Sequence, residues 1–476
     1  MKEYDLIVIG TGSGMNYVSS IKERFPDFKI AVIDKDEPGG ICLTRGCIPS
    51  KLLLYPAELL RTIETAGKFG IDVQIRNIDF KSIMKRMNTK ISRDISNIQE
   101  DLPHNPDFDY YKEIAEFVSP YTMKIGNETI KGKMFFLCSG SKPLIPDING
   151  LNATGYLTSD TVLKMTELPE SIAIIGGGYI AAEYGHFFSA MGSRVTIIGR
   201  NPKFIPDEEP EISMLAKKVM SGNMNILTSL EVLEVARDTS GKKVITAKER
   251  DSGKEVVVTA EEILVATGRA PNTDILHPER AGIKTDSNGW IEVNDYLETS
   301  QKDVWAFGDA NGKYLFKHVA NYESTVVFHN AILKKNVKVY YHAVPHAVFS
   351  YPEIASVGLK EKEAIEMYGE ENVLIGFKMY ENTAKGVVMD VKDFFVKVIL
   401  EKSTSRILGA HIIGPYASIL IQEIINLMYV PEEKADPITQ GMHIHPSLSE
   451  VVEKAFYSLM PPEHYHHVLG EMGLDV

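Results

Sequence analysis

Two of the three cysteines in this chain, Cys42 and Cys47, lie with four residues between them. A pair this close can form and break a disulfide with little movement of the backbone. A structural zinc site is disfavoured, because zinc takes four ligands and the sequence has no second cysteine cluster. A stabilising disulfide is also disfavoured, because closing so small a loop removes little chain entropy. The pair is therefore predicted to be a redox-active dithiol.

The residues that flank the pair favour the same chemistry. Three glycines between residues 39 and 46 allow the backbone to approach a flat ligand closely. The run Ile48-Pro49-Ser50-Lys51 leads into an apolar helical pattern. If that helix has begun by Cys47, Lys51 lies one turn further on, beside a thiolate or a reduced cofactor.

A nucleotide-binding pattern opens the chain. The apolar run 6–9 leads into Gly10-Thr11-Gly12-Ser13-Gly14-Met15. A strand, a glycine turn and a helix in this order bind the pyrophosphate of a dinucleotide. Met15 stands where the third glycine is usual and is expected to push helix and strand slightly apart. Asp34 follows the next apolar run, at the distance expected for an acid that binds a ribose hydroxyl.

A second pattern of the same kind lies further along the chain. The apolar run 172–175 is followed by three glycines at 176–178, so the sequence predicts a second dinucleotide. After the next strand, 195–198, Arg200 stands where an acid for the ribose hydroxyl is expected. An arginine suits a 2′-phosphate, with Lys203 assisting, which favours NADPH over NADH. The alternative is that Arg200 is a solvated turn residue.

Length and composition restrict the class of protein. A chain of 476 residues is long enough for about three domains. The net charge of −13 argues against nucleic acid or an anionic membrane as the main partner. Apolar runs are too short to span a membrane, and the first residues enter a strand pattern without a signal peptide. Three cysteines, two of them paired, are typical of a reducing interior, so the cytoplasm is expected.

The cysteine block resembles the redox-disulfide signature of the FAD-dependent pyridine nucleotide–disulfide oxidoreductases. Ile41, Thr44 and Arg45 depart from the residues that are usual in that signature. Other stretches resemble motifs of the same family, in the same order along essentially the whole chain: 135–141, 261–272, 304–310, 318–323 and 443–450.

The resemblance implies an α/β fold with two Rossmann-like, doubly wound domains of the glutathione reductase type. A C-terminal α+β domain is expected to form the dimer interface. The implied segments are residues 1–148 and 271–344 for FAD, 149–270 for NAD(P), and 345–476 for dimerisation.

The resemblance also implies FAD and NAD(P)H as cofactors, and no metal is expected. The residues expected to contact these cofactors are Gly10, Gly12, Ser13, Gly14, Asp34, Lys35, Gly40, Ile41, Cys42, Gly46, Lys51, Ala115, Ser139, Gly140, Gly176, Gly178, Tyr179, Ile180, Glu183, Arg200, Lys203, Gly268, Gly308, Asp309, Val319 and Ala320.

In the family's mechanism, electrons pass from the nicotinamide through FAD to the dithiol. The resemblance places Cys47 against the flavin and Cys42 towards the disulfide substrate. Lys51 is then expected to stabilise negative charge on the reduced flavin, and Glu183 to pair with Lys51 across the nicotinamide pocket. Tyr179 is expected to close that pocket until the nicotinamide enters.

Two further residues complete the implied catalytic set. His445 precedes a proline, and Glu450 follows five residues later, as in the family's acid–base dyad. A histidine exchanges protons with thiols near neutral pH, and a carboxylate on its other nitrogen orients the ring. In the family this histidine comes from the second subunit, so an obligate two-fold dimer is expected.

The remaining histidines and the third cysteine have simpler interpretations. His443 has no evident carboxylate partner in the motif and is interpreted as structural. The histidines at 464, 466 and 467 are interpreted as a solvated tail rather than a metal site. Cys138 is interpreted as a small buried core residue rather than a third redox partner.

The disulfide substrate is less well determined by the sequence. The ending 443–450 favours an enzyme like dihydrolipoyl dehydrogenase, whereas Arg200 and the segment 318–323 favour an NADPH-dependent reductase of low-molecular-weight disulfides, like mycothione or glutathione reductase. A third possibility is an E3-type component that acts on a lipoyl group within a multienzyme complex. Mercuric reductase is disfavoured, because no cysteine follows Cys138. Arg45 is hypothesised to add positive charge near the dithiol.

Overall fold

The first parallel sheet is built around the strand that precedes the first glycine turn. The computed structural model describes residues 1–474. Its elements up to residue 143 are β1 (Lys2–Ile9), α1 (Val18–Arg24), β2 (Ile30–Ile33), α2 (Gly40–Thr44), α3 (Cys47–Thr65), α4 (Phe80–Asp101), β3 (Asp109–Tyr111), β4 (Ala115–Ser119), β5 (Thr122–Ile125), β6 (Glu128–Leu137) and β7 (Ser141–Pro143). Strands β3, β2, β1 and β6 are parallel neighbours; β5 pairs antiparallel with β6, and β4 pairs antiparallel with β5.

The second parallel sheet begins with the strand before the second glycine turn. The elements of this part are α5 (Leu151–Thr154), β8 (Leu157–Thr158), β9 (Ser171–Ile175), α6 (Tyr179–Met191), β10 (Arg194–Ile198), α7 (Pro210–Met220), β11 (Asn225–Leu227), β12 (Leu230–Arg237), β13 (Lys243–Glu249), β14 (Glu255–Ala260), β15 (Glu262–Val265), β16 (Arg269–Pro271), β17 (Val304–Ala306) and α8 (Lys317–Val327). The parallel order is β11-β10-β9-β15-β8, with β12, β13 and β14 as a separate antiparallel sheet. Strand β17 returns to pair with β6 of the first sheet.

An antiparallel sheet with helices makes up the last part of the chain. Its elements are β18 (His346–Val348), β19 (Ile354–Gly358), α9 (Glu361–Tyr368), β20 (Val373–Met379), α10 (Ala384–Val388), β21 (Phe395–Glu401), β22 (Ile407–Ile413), α11 (Ala417–Leu420), α12 (Gln422–Met428), α13 (Asp436–Gln440), α14 (Ser449–Tyr457), β23 (Leu459–Met460) and α15 (Pro462–Glu471). The strand order is β18-β19-β22-β21-β20-β23. These sheets confirm the expected fold class, whereas the exact segment boundaries stay predictions.

The first glycine turn differs in one detail from the expectation. Residues Ser13–Met15 form a single 3-10 turn, and the α-helix starts only at Val18. Gly14, rather than residue 15, lies against the strand, because a Cβ at Gly14 would be 2.9 Å from Val8. Met15 lies partly buried to one side. The methionine is tolerated because the close helix–strand contact is made one residue earlier.

The start of α3 agrees with the sequence. Cys47 is its first residue, so Lys51 lies about one turn along the same helix. Within residues 1–474 no helix is both long enough and apolar enough to cross a membrane.

Candidate active site

Most of the residues predicted to contact cofactors border one large cavity of about 910 Å³. Those that line it are Gly10, Gly12, Ser13, Asp34, Lys35, Gly40, Ile41, Cys42, Gly46, Lys51, Ala115, Ser139, Gly140, Tyr179, Ile180, Glu183, Gly308, Asp309 and Ala320. Gly14 and Val319 instead pack in the buried layer beneath it. Gly176, Gly178, Arg200, Lys203 and Gly268 lie outside its lining.

The dithiol lies at the junction of two helices beside this cavity. Cys42 is in α2, and Cys47 is the N-terminal residue of α3; both are free thiols. The backbone N–H groups of Cys47 and Ile48 contribute to lowering the pKa of Cys42. Because unpaired N–H groups at a helix N-terminus favour negative charge, this position suits a thiolate.

The two thiols divide the acidity of the pair unequally. A hydrogen bond from the Cys47 thiol is the largest cause that lowers the pKa of Cys42, to about 6. The same hydrogen bond, together with burial, raises the pKa of Cys47. The pair therefore holds a single proton near neutral pH, and that proton resides on Cys47. Cys42 is the sulfur prepared to act as a nucleophile.

A lysine that the sequence did not single out lies near Cys42. Lys317, at the start of α8, borders the cavity, and its Nζ donates to the Ser13 hydroxyl at 2.9 Å. Its charge contributes to the low pKa of Cys42. The only signal in the sequence is a basic residue directly before the motif 318–323.

Arg45 does not supply a free charge to the dithiol. Its guanidinium forms ion pairs with Asp36 at 2.7 Å and with Asp160 at 3.2 Å. Asp160 is distant in sequence, so this pairing could not be inferred from the cysteine block. The hypothesised positive charge is balanced by two carboxylates.

Lys51 and Glu183 form the ion pair that the resemblance implied. The Nζ of Lys51 donates to both carboxylate oxygens of Glu183, at 2.9 and 2.8 Å. The backbone N–H of Phe349 also donates to Glu183, at 3.0 Å, and the Phe349 ring centre is 4.7 Å from the Lys51 Nζ. Glu183 is buried on α6, so the pair connects the helix of the dithiol to the helix of the second glycine motif.

The glycine turn at the first sheet fits a dinucleotide such as FAD. A Cβ at Gly40 would lie 2.6 Å from the Gly12 Cα, and one at Gly10 would lie 2.4 Å from the Cys138 carbonyl oxygen. Only glycine therefore allows Gly40 to approach Gly12, and Gly10 to approach Cys138, this closely at the cavity wall. Asp34 accepts hydrogen bonds from the N–H and the hydroxyl of Thr11, at 2.8 and 2.6 Å, and so fixes the turn.

Asp309 is held at the opposite wall of the cavity. Its carboxylate accepts a hydrogen bond from Ser141, which in turn accepts one from Arg269 at 2.6 Å. The side chain of Asn272 donates to the Ser139 carbonyl at 3.0 Å. Arg269 and Asn272 lie in the stretch 261–272. The sequence does not indicate that they hold Ser141 and Ser139, because these contacts depend on the packing of that stretch against β7 and the residues before it.

The second glycine turn is equally tight, but its expected phosphate-binding arginine is not free. A Cβ at Gly176 would lie 2.1 Å from the Ala266 carbonyl oxygen. Tyr179, the first residue of α6, borders the main cavity. Arg200 is exposed, and its guanidinium lies 3.6 Å from the carboxylate of Glu231, while Lys203 is exposed nearby in sequence.

The histidine–glutamate dyad is formed within the chain. The Nδ1 of His445 lies 2.9 Å from a carboxylate oxygen of Glu450, and the Ser447 N–H donates to the other oxygen at 3.2 Å. The hydrogen bond with His445 is the main cause that lowers the pKa of Glu450. His445 is 69% exposed and is not part of the cavity lining. Within a single chain, the His445–Glu450 dyad is therefore not part of the cavity that the dithiol borders.

His443 has carboxylate partners that the motif does not reveal, and its interpretation as a structural residue stays a prediction. Its Nε2 lies 3.3 Å from the Glu423 carboxylate and its Nδ1 lies 3.8 Å from Glu453. Glu423 is on α12, so the pair depends on helix packing rather than on spacing within the motif.

The terminal histidines belong to a packed helix and not to a solvated tail. They lie on α15, whose Tyr465 is fully buried, and His466 pairs with Glu361 at 2.8 Å. In the part of the chain that the structure describes, no group of three or more histidine, cysteine or acidic side chains could hold a metal ion.

Comparison with known proteins identifies the family of the chain. Residues 4–347 match the pyridine nucleotide-disulphide oxidoreductase family, and residues 344–456 match the dimerisation domain of that family. The chain is 35% identical over 470 residues to mycothione reductase of Mycobacterium tuberculosis, covering 96% of this chain and 100% of that protein. It is 33% identical to dihydrolipoyl dehydrogenase of Synechocystis sp., covering 95% and 98%.

A solved structure gives the same result at the level of the fold. The HOCl-induced flavoprotein disulfide reductase RclA from Escherichia coli superposes with a TM-score of 0.82 at 25% identity, covering 95% of this chain and 99% of that one. The chain thus belongs to the pyridine nucleotide-disulphide oxidoreductases, a family of FAD-dependent enzymes that use NAD(P)H and carry a dimerisation domain.

Proposed function

We propose that this protein exchanges two electrons between a nicotinamide nucleotide and a neutral dithiol of the dihydrolipoyl type, as dihydrolipoyl dehydrogenase does. The observation that carries the proposal is the dithiol itself. Cys42 has a pKa of about 6 and borders a 910 Å³ cavity that a dinucleotide fits. FAD, when bound there, supplies the two-electron transfer between nicotinamide and sulfur that neither partner can perform directly.

The sulfur chemistry assigns a separate role to each cysteine. In the oxidising direction, a substrate thiolate attacks the sulfur of Cys42, the disulfide breaks, and Cys47 leaves as a thiolate. The second substrate sulfur then displaces Cys42, which closes the substrate's disulfide and leaves both cysteines reduced. The N-terminus of α3 and the hydrogen bond between the two sulfurs stabilise the negative charge that remains on the pair.

The proton of the substrate thiol is proposed to go to the partner subunit's His445. The exposed His445 and its buried, ionised partner Glu450 are prepared for this role, since the carboxylate orients the ring and stabilises the imidazolium. The acceptor nitrogen is Nε2, because Nδ1 faces Glu450. The dimer then has two sites, each with cysteines from one chain and a histidine from the other.

Lys51 is proposed to place a positive charge beside the cofactor's reduced form. Glu183 holds the ammonium with two short hydrogen bonds, and Phe349 covers it on one side. Tyr179 begins the helix that carries Glu183 and borders the same cavity, which suits the proposed gating of the nicotinamide pocket.

The state of Arg45 supports a neutral substrate. An anionic disulfide needs a free cation near the dithiol, but Asp36 and Asp160 balance Arg45. The second candidate, an NADPH-dependent reductase of small anionic disulfides, is favoured by Lys317. Within residues 1–474, no carboxylate lies within 4.0 Å of its ammonium, which faces the cavity beside Ser13. Arg200 supports NADPH for either function.

The test is an anaerobic titration of the purified flavoprotein, followed by visible absorbance. Dihydrolipoamide is expected to produce a long-wavelength thiolate-to-flavin band by reducing the disulfide. Cys42→Ser and Cys47→Ser are both expected to show no change on adding dihydrolipoamide, because neither can form the disulfide, and only Cys47→Ser loses the sulfur that gives the band. Steady-state turnover with lipoamide, with a lipoylated acyltransferase domain and with glutathione disulfide then ranks the substrates. A preference for the acyltransferase domain indicates an E3-type component, and turnover of only the anionic disulfide overturns the proposed substrate.

A further inference from the structure

The site proposed for the nucleotide ribose contains a carboxylate as well as an arginine. The two groups lie in a corner formed by residues 199–201 and 229–231, which we call the ribose corner. A Cβ at Gly177, in the second glycine turn, would lie 3.2 Å from the Gly199 Cα. The ribose corner thus contacts the turn that receives the nucleotide.

The ribose corner is held by main-chain hydrogen bonds. The Leu230 N–H donates to the Gly199 carbonyl, and the Ser229 N–H donates to the Asn201 carbonyl, each at 3.0 Å. These bonds fix the segment that carries Arg200 beside the first residues of β12, which carry Glu231. The backbone thus brings the two side chains within reach of each other, and their charged ends lie 3.6 Å apart.

Both charged groups remain accessible to a ligand. The side chain of Arg200 is 69% exposed and that of Glu231 is 50% exposed. The guanidinium attracts a 2′-phosphate, whereas a carboxylate accepts a hydrogen bond from a free 2′-hydroxyl and repels a phosphate dianion. The ribose corner thus offers a partner for either nucleotide.

We propose that Glu231 is a specificity-determining residue that enables the enzyme to use NADH and limits its preference for NADPH. The inference rests on the proposed function, in which Arg200 belongs to the nucleotide site. When NADH binds, Glu231 accepts the hydrogen bond of the ribose hydroxyl. When NADPH binds, the phosphate competes with Glu231 for Arg200 and is repelled by the carboxylate.

The test compares Glu231→Gln with Glu234→Gln. The control residue Glu234 is also exposed on β12 and loses the same charge, but it lies outside the ribose corner. Anaerobic stopped-flow measurement gives the second-order rate constant of flavin reduction by NADPH and by NADH without any disulfide substrate. The rate constant with NADPH divided by that with NADH is expected to rise about tenfold or more in Glu231→Gln. In Glu234→Gln this ratio is expected to remain within about twofold of the wild-type value.

Binding of two inhibitors gives an independent readout. In calorimetry, Glu231→Gln is expected to lower the dissociation constant of 2′,5′-ADP. The dissociation constant of 5′-ADP is expected to stay the same or to rise. An unchanged ratio of the two reduction rate constants together with unchanged 2′,5′-ADP binding in Glu231→Gln, or equal changes in Glu234→Gln, would overturn the inference. Failure of lipoamide as a substrate would refute only the proposed function, because flavin reduction is measured without it.

Discussion

Cys42 is expected to react as a thiolate at neutral pH once the dithiol is reduced. Its pKa is about 6, against 9.0 for an ordinary thiol. At pH 7 a thiol with the lower pKa is about 90% ionised, whereas one with the ordinary value is about 1% ionised. The intrinsic nucleophilicity of a thiolate falls with its pKa, so alkylation of the reduced enzyme at pH 7 is expected to be only about three- to sixfold faster than at an ordinary cysteine of equal access. The rate should rise with pH, with a midpoint near 6.

The hydrogen bond from Cys47 makes the largest contribution to this acidity. Cys47→Ala removes the donor and raises the pKa of Cys42, so the midpoint of its alkylation profile should move to higher pH by about one unit or more. Cys47→Ser keeps a hydroxyl donor and is expected to retain a lower midpoint than Cys47→Ala. The two variants lose the same sulfur, which separates hydrogen bonding from loss of the second thiol.

The assay is anaerobic reaction of the NADH-reduced holoenzyme with iodoacetamide, with the modified cysteine identified by mass spectrometry. Cys138 serves as an internal control, because burial raises its pKa and it should remain unmodified. A midpoint near pH 9 in the wild type would refute the reasoning. Equal midpoints in the wild type and Cys47→Ala would show that the acidity of Cys42 has another origin.

Three further outcomes are expected. Gly40→Ala should lower the FAD content of the purified protein, measured from visible absorbance, because its Cβ would lie 2.6 Å from the Gly12 Cα. Full FAD occupancy in this variant would show that the close contact of Gly40 with Gly12 is not needed for FAD binding. Inactive Cys42→Ser and His445→Gln chains, unfolded and reassembled in equal amounts, should recover about one quarter of wild-type turnover if each site needs both chains; no recovery, with dimers formed, would place both residues in one chain's site. Lys397→Met should cost about 3–5 kcal/mol in denaturant unfolding, because fully buried Lys397 neutralises three surrounding carboxylates; a loss below about 1 kcal/mol would contradict that role.

The sequence predicts the features that depend on local pattern. The strand before Gly10, the start of α3 at Cys47 and the spacing from His445 to Glu450 are all present in the structure. Each depends on residues close together in the chain, where period and glycine placement directly restrict the backbone. The resemblance adds the pairing of Lys51 with Glu183, which spacing alone could not supply.

The features that the sequence missed involve charges brought together from distant segments. Asp160 balances Arg45, and Glu423 lies against His443. In each case the motif supplies one charge, while its partner comes from an element with no sequence relation to the motif. Such pairs depend on the packing of helices and loops, which a single sequence does not encode in a readable pattern.

These distant pairs change how the charge near the dithiol is understood. Carboxylates balance Arg45, whereas Lys51, although paired with Glu183, still acts to lower the pKa of Cys47. The acidity of Cys42 then arises mainly from a hydrogen-bond donor that belongs to the dithiol itself. A disulfide contains neither a thiolate nor a thiol donor, so this stabilisation exists only when the pair is reduced. It is therefore linked to the electron count of the pair, which suits a dithiol that must both accept and release electrons.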